Sequence, residues 1–157
     1  VRKNKSGIVV KGLHDLAVRF SRCCNPVPGD EIVGFVTRGR GVSIHRTDCI
    51  NVINLPEDER GRLIDAEWQG AEAAGSTEQY STEIQIFANN RIGMFADISK
   101  VFTEKQIDIT SMNVRTSKQG KATIIMTFDI HGTEELNRIT EKIRQIEGVL
   151  DIQRTTG

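Results

Sequence analysis

The chain has 157 residues, 38% of them hydrophobic, with 21 Lys+Arg against 21 Asp+Glu, a length that suits one ordinary domain or two small ones. The balanced total excludes a general attraction to nucleic acid or membrane, but residues 1–50 carry nine basic side chains against four acidic ones, and the excess reverses over residues 51–80. No apolar run approaches the ~20 residues of a bilayer-spanning helix, no signal peptide precedes the first strand-like segment, and three cysteines suit a reducing compartment better than a disulfide framework, so a soluble, cytoplasmic protein is expected.

Because the chain starts at Val1 without Met, a piece of a longer polypeptide is expected. In chain order, residues 8–10, 17–20, 31–36, 42–44 and 63–68 are short strand candidates, with a helical turn around 47–52. Seventy residues with few large apolar side chains make a thin core of the kind that needs a metal or a partner. The stretch "QGAEAAGSTEQ", residues 69–79, has no large apolar residue and reads as a linker. The expected organisation is a first domain over 1–70, a linker over 71–80 and a second domain over 81–157.

The second half is strongly patterned. Ile84 and Ile86 alternate with polar neighbours in a strand over 82–88, and Met94, Phe95, Ile98, Val101 and Phe102 recur at helical spacing after Gly93. Alternation returns in 107–115 and 122–130, joined by the turn "SKQG" with Gly120 supplying positive φ. Thr133 is expected to N-cap a second helix faced by Leu136, Ile139, Ile143 and Ile146, which Gly148 ends before a strand over 149–154. The order βαββαβ is ferredoxin-like: a four-stranded antiparallel sheet with two helices on one face. The whole is therefore α+β, a small mostly-β domain followed by a ferredoxin-like one. Phe128 falls on the core side, so base stacking of the RNA-recognition type is not expected. The open face with Phe87, Ile125 and Thr127 suits packing against another sheet, in a homodimer or on a neighbouring domain.

Two stretches of the first half carry chemistry. "HRTDC" sets His45 and Cys49 four apart, one face of a helical turn and a usual half-site for zinc. With Cys23 and Cys24 of "SRCCNPVPGD" the inventory is Cys₃His, enough for a closed tetrahedral site. Adjacent side chains on a strand point to opposite faces, so both cysteines reach one ion only if the chain turns there, as Pro26 and Pro28 allow. The alternative keeps one cysteine as a small buried hydrophobe and the other exposed. A catalytic cysteine lacks a third member and oxyanion donors.

"TRGRGVSIHR" matches no phosphate-loop pattern and reads as a hairpin turning on Gly39 and Gly41, with a nucleotide loop as the alternative. Arg38, Arg40 and Arg46 project from it and its exit, a cluster suited to RNA phosphates. His14 and His131 are expected to be ordinary structural residues, His131 in solvent. In the second half, "NNRIG" (Asn89, Asn90, Arg91, Ile92, Gly93) leads into Met94 at a helix start. It is either a close-approach loop for a carboxylate ligand or a tight connection with none.

"RCCNPVPGDEIVGFVTRGRGVSIHRTDC", a polar linker and a βαββαβ unit with "NRIGMFADI" together resemble the C-terminal regulatory region of the long RelA/SpoT enzymes. Those are the GTP pyrophosphokinases of the stringent response, which make and hydrolyse (p)ppGpp. The resemblance implies a conserved-cysteine domain over 7–68, also called the zinc-finger or ribosome-intersubunit domain, and an ACT domain over 81–157. It implies catalytic domains N-terminal to this region, so that this segment is inactive alone. It assigns Cys23, Cys24, His45 and Cys49 to a zinc-type cluster, and the basic surface to ribosomal RNA when uncharged tRNA is sensed on a stalled ribosome. Some relatives bind branched-chain amino acids through the ACT loop, where Asn90 stands in place of a frequent Asp, and Ile50 replaces a common Pro.

Overall fold

The computed structural model is described over residues 8–10, 17–69 and 78–156. His14 and most of the expected linker, residues 70–77, lie outside the described residues. The chain divides into two compact units, the second spanning Gln79–Thr155, and its architecture is α+β throughout.

The first unit is a five-stranded sheet with the spatial order β1-β5-β3-β4-β2, built from β1 (Ile8–Val10), β2 (Val18–Phe20), β3 (Ile32–Val36), β4 (Val42–Arg46) and β5 (Leu63–Trp68). All pairings are antiparallel except β2 with β4, where Phe20 faces Ile44 in parallel register. A four-residue helix, α1 (Ile50–Ile53), and a 3-10 turn (Glu57–Arg62) lead from β4 to β5. Ile8, Val10, Val42, Ile44 and Ala66 form the buried cluster, flanked by half-buried Val18, Phe20, Ile32, Val36, Ile64 and Trp68. Trp68 stacks on Phe20 at 5.6 Å between ring centroids, and its indole N–H donates to the Asp30 carbonyl at 3.0 Å. The β3–β4 hairpin turns where Thr37 donates twice to the Gly41 carbonyl, from its main-chain N–H at 2.9 Å and from its hydroxyl at 2.7 Å.

The second unit contains β6 (Tyr80–Asn89), α2 (Met94–Glu104), β7 (Ile109–Thr116), β8 (Lys121–Ile130), α3 (Thr133–Arg144) and β9 (Val149–Arg154). Its antiparallel sheet runs β7-β8-β6-β9, the order of a ferredoxin-like fold. Alternation decides the layers: Ile84, Ile86, Ile124, Met126 and Phe128 are buried with Ile98, Phe102, Leu136, Ile139 and Ile143 of the helices. Phe87, Ile125 and Thr127 are half-buried on the opposite face.

Two helix boundaries differ from expectation. Gly132, in extended backbone, occupies the N-cap of α3, and Thr133 is already the first helical residue with no capping bond from its side chain. Glu135 reaches back to the His131 N–H at 3.1 Å, which ties the chain ahead of the N-cap to the first turn. The helix also stops at Arg144, four residues before Gly148, because the chain leaves through a turn closed by Val149 N–H to the Ile146 carbonyl. Gly148, at φ +97°, lies in that turn, where a Cβ would come within 2.7 Å of Met94 Cε.

Candidate metal centre

The adjacency of Cys23 and Cys24 is resolved by a turn. The Asn25 N–H donates to the Ser21 carbonyl at 3.0 Å, and Asn25 takes a left-handed φ of 48°, so residues 21–25 coil instead of extending and both thiols swing to one side. Buried Pro26 and Pro28 and the Val27 N–H to Asp30 Oδ2 bond (2.8 Å) fix the exit. His45 arrives differently from expectation. It sits in β4 opposite Val33, and Cys49 follows a two-residue turn in which the Cys49 N–H donates to the Arg46 carbonyl at 3.0 Å. The pair meets through a strand end and a turn, not through one helical face, because β4 keeps its ladder to β3 as far as Arg46.

Cys23 Sγ lies 3.4 Å from Cys49 Sγ and 3.5 Å from His45 Nδ1, and Cys24 Sγ lies 4.0 Å from the same nitrogen. All four donor atoms fall within 4.8 Å of one another. A tetrahedron with bonds of about 2.0–2.3 Å has edges of roughly 3.3–3.8 Å, so a Cys₃His set with these separations fits a single divalent ion. None of the three cysteines is in a disulfide. On a bound ion, three thiolates and one imidazole would fill all four positions of a tetrahedron and leave none open for reaction chemistry.

The surroundings fix each ligand. Ser43 Oγ lies 3.0 Å from His45 Nε2. With Nδ1 on a metal ion, Nε2 would carry the ring proton and donate to the hydroxyl. Burial, and then the Arg19 guanidinium on β2, push the His45 pKa down, which favours the neutral, ligating ring. Burial raises the Cys24 and Cys49 thiols. Burial acts upward most strongly on Cys23, but hydrogen bonds with Ser21 Oγ, 2.7 Å away, Asn51, Cys49 and Cys24 together outweigh it and lower that thiol.

The three arginines separate. Arg38 and Arg40 are exposed on the β3–β4 hairpin, Arg38 reaching Glu59 at 3.5 Å with 76% of its side chain accessible. Arg46 does not project: it is 6% exposed. Its Nη1 donates to the Cys24 carbonyl at 3.2 Å and its Nη2 to Asp48 Oδ2 at 2.5 Å. The reason is parity, since Arg46 shares the inward face of β4 with Val42 and Ile44.

In the second unit, the loop of Asn89, Asn90, Arg91, Ile92 and Gly93 is largely bonded to its own surroundings. Asn89 Oδ1 accepts from Lys121 at 2.7 Å, and the Asn90 N–H donates to the Gly120 carbonyl at 2.7 Å. Arg91 donates to the Glu147 carbonyl (2.8 Å), the Ile92 carbonyl (3.1 Å) and Asp97 (2.8 Å). Ile92 is fully exposed, Gly93 takes φ +85°, and Met94 is buried.

Comparison with known proteins assigns both units. Residues 8–69 match the model of the RelA/SpoT RIS domain, and residues 76–154 match that of the ACT domain. The chain belongs to the RelA/SpoT family. It is 39% identical over 150 residues to a GTP pyrophosphokinase of Streptomyces coelicolor, covering 96% of this chain and 17% of that protein. To the GTP pyrophosphokinase of Escherichia coli K12 it is 37% identical over 156 residues, 99% of this chain and 20% of the relative. This RIS–ACT segment thus spans about a fifth of such relatives, and neither matched domain is a catalytic one. A crystal structure of the ACT domain from GTP pyrophosphokinase of Chlorobium tepidum overlays with a TM-score of 0.45 at 22% identity, covering 49% of this chain and 99% of that one.

Within the RIS unit, the sequence reading missed the residues around the ligands, Ser21, Ser43 and the inward Arg46. Strand parity carried the signal for two of them, because Ser43 shares a face with His45.

Proposed function

We propose that this RIS–ACT segment is a non-catalytic regulatory module that binds ribosomal RNA. In this reading a structural zinc ion is held by Cys23, Cys24, His45 and Cys49, and Arg38 and Arg40 contact RNA phosphates. The module relays ribosome state, including the presence of uncharged tRNA, to N-terminal catalytic domains of the same cytoplasmic protein. The observation that carries it is the convergence of three cysteines and one histidine in the same small unit whose β3–β4 hairpin exposes two arginines. A closed metal site orders a thin core but performs no reaction. Guanidinium groups on a fixed hairpin suit phosphate. The test is ribosome binding by the Arg38→Glu/Arg40→Glu variant across a salt series. The expected result is weaker binding, with the log–log salt slope reduced by about 1.5–2, one phosphate contact per arginine. Wild-type affinity and slope in the variant refute the assignment.

A second reading, in which the ACT loop takes a branched-chain amino acid across a homodimer, draws on the exposed Ile92 and the left-handed Gly93 at the start of α2. The internal bonding of Arg91 counts against it. Calorimetry with valine and isoleucine decides, since a flat titration of folded protein removes this reading and leaves the first intact.

A further inference from the structure

Arg46 has the wrong environment for a phosphate ligand. A guanidinium left in a site 93% closed to water is costly unless its donors are met, and here they are met by named partners: side-chain exposure is 7% for Arg46 and 58% for its carboxylate partner Asp48. Its main chain already touches two of the four cluster residues, the N–H donating to Cys24 Sγ at 3.3 Å and the carbonyl accepting from the Cys49 N–H at 3.0 Å. The side chain adds a bond that the main chain cannot make, from Nη1 to the Cys24 carbonyl at 3.2 Å. Cys24 is thereby held at both its sulfur and its carbonyl by one residue of β4.

That second hold matters because the turn at residues 22–24 carries two ligands outside any strand or helix. Its other bonds are mostly internal, from the Asn25 N–H to the Ser21 carbonyl at 3.0 Å and from the Cys23 N–H to Ser21 Oγ at 3.3 Å, whereas Arg46 ties it to β4. Arg is suited to the task where Lys is not, because its planar fork can reach the Cys24 carbonyl and the Asp48 carboxylate with two different nitrogens. We infer that Arg46 is a positioning residue for the Cys₃His cluster, its guanidinium clamping the Cys23–Cys24 turn to the end of β4 so that Cys24 completes the ligand set. This rests on the proposed metal site.

The experiment uses the whole 157-residue chain, first with cobalt(II) as an optical probe and then with zinc in competition against a chromophoric chelator. Arg46→Met keeps the apolar stem and removes every donor of the guanidinium. Arg46→Lys restores a single charged donor. Loss of an outer partner of this type lowers metal affinity about ten- to a hundred-fold. The expected result is a fall of that size for the Met variant, with a cobalt thiolate charge-transfer band reduced as Cys24 slips from reach, and an intermediate affinity for Lys. A merely structural role would leave the band intact. Emission of Trp68, the one tryptophan, verifies that the first unit is folded. If the Met variant is unfolded, Lys decides: affinity below wild type supports the clamp and wild-type affinity overturns it. A folded Met variant with wild-type affinity and band also overturns it, while leaving the metal site standing. Wild-type protein that takes up neither cobalt nor zinc rejects the metal site itself.

Discussion

With zinc held as proposed, its removal should unfold the first unit and leave the second folded. Among the described residues, the large aliphatic side chains buried in the first unit are Ile8, Val10, Val27, Val42 and Ile44, against a second-unit core that includes Phe102, Phe128, Met94, Met126 and nine buried isoleucines and leucines. Five such side chains contribute on the order of 8–15 kcal/mol of burial before chain entropy opposes it. A structural zinc on cysteine and histidine ligands contributes on the order of 10–16 kcal/mol, as much as that whole core and at least as much as the net stability of a typical domain. The assay follows from composition, since the single Trp68 lies in β5 of the first unit, stacked on Phe20, and the single Tyr80 is buried in β6 of the second. After chelation, with metal loss verified by elemental analysis, Trp68 emission should shift to that of exposed indole while helical circular dichroism, from α2 and α3, persists. Unchanged Trp68 emission and an unchanged melting transition in verified metal-free protein would refute the reasoning.

Ser43→Ala should weaken zinc binding about ten- to a hundred-fold by releasing His45 Nε2, measured by chelator competition, and Ser43→Thr should restore most of it. Gly41→Ala should destabilise the first unit by about 3–5 kcal/mol in a denaturant titration followed at Trp68. Gly41 sits at φ +74°, an added Cβ collides with the Ala17 carbonyl, and that carbonyl accepts the Val42 N–H that pairs β2 with β4. Phe102→Ala should cost the second unit about 3–5 kcal/mol, because the ring is fully buried edge-on to Phe128 at 4.9 Å, and should leave Trp68 emission as it is.

The ACT unit was legible because its long strands each bury one face. In β6 and β8, ten residues apiece, strict alternation of buried and accessible positions repeats often enough to fix register and face together. The strands of the RIS unit have three to six residues, too few periods to fix their ends, which is why β4 runs two residues beyond the expected 42–44. The four cluster residues were legible as an inventory, but their route together was not: spacing suggested a helical turn at 45–49, whereas the β3 ladder holds His45 extended and leaves Cys49 to a turn. Arg46 was misplaced for a chemical reason. A guanidinium is expected in water, and here the period-2 pattern of Val42, Ile44 and Arg46 overrides that expectation because the Cys24 carbonyl and Asp48 satisfy it inside.

The same strand joins the Cys₃His cluster to the surface. β4 begins two residues after Arg40 and ends with His45 and Arg46, a span of roughly 13 Å at 3.3 Å per residue. One end is therefore fixed by the cluster and the other presents the exposed hairpin, which Thr37 closes locally through its bonds to Gly41 and to the Arg40 N–H at 3.1 Å. If the arginines grip RNA only when that strand is ordered, Cys49→Ala should weaken ribosome binding without altering a single surface charge. The deficit should resemble that of the Arg38→Glu/Arg40→Glu variant, and combining the two changes should add little, because both remove the same two phosphate contacts. Co-sedimentation over a salt series measures this. A Cys49→Ala protein that has lost its metal and its folded Trp68 signal, yet binds ribosomes with wild-type affinity, would separate the metal from the RNA surface and defeat the coupling.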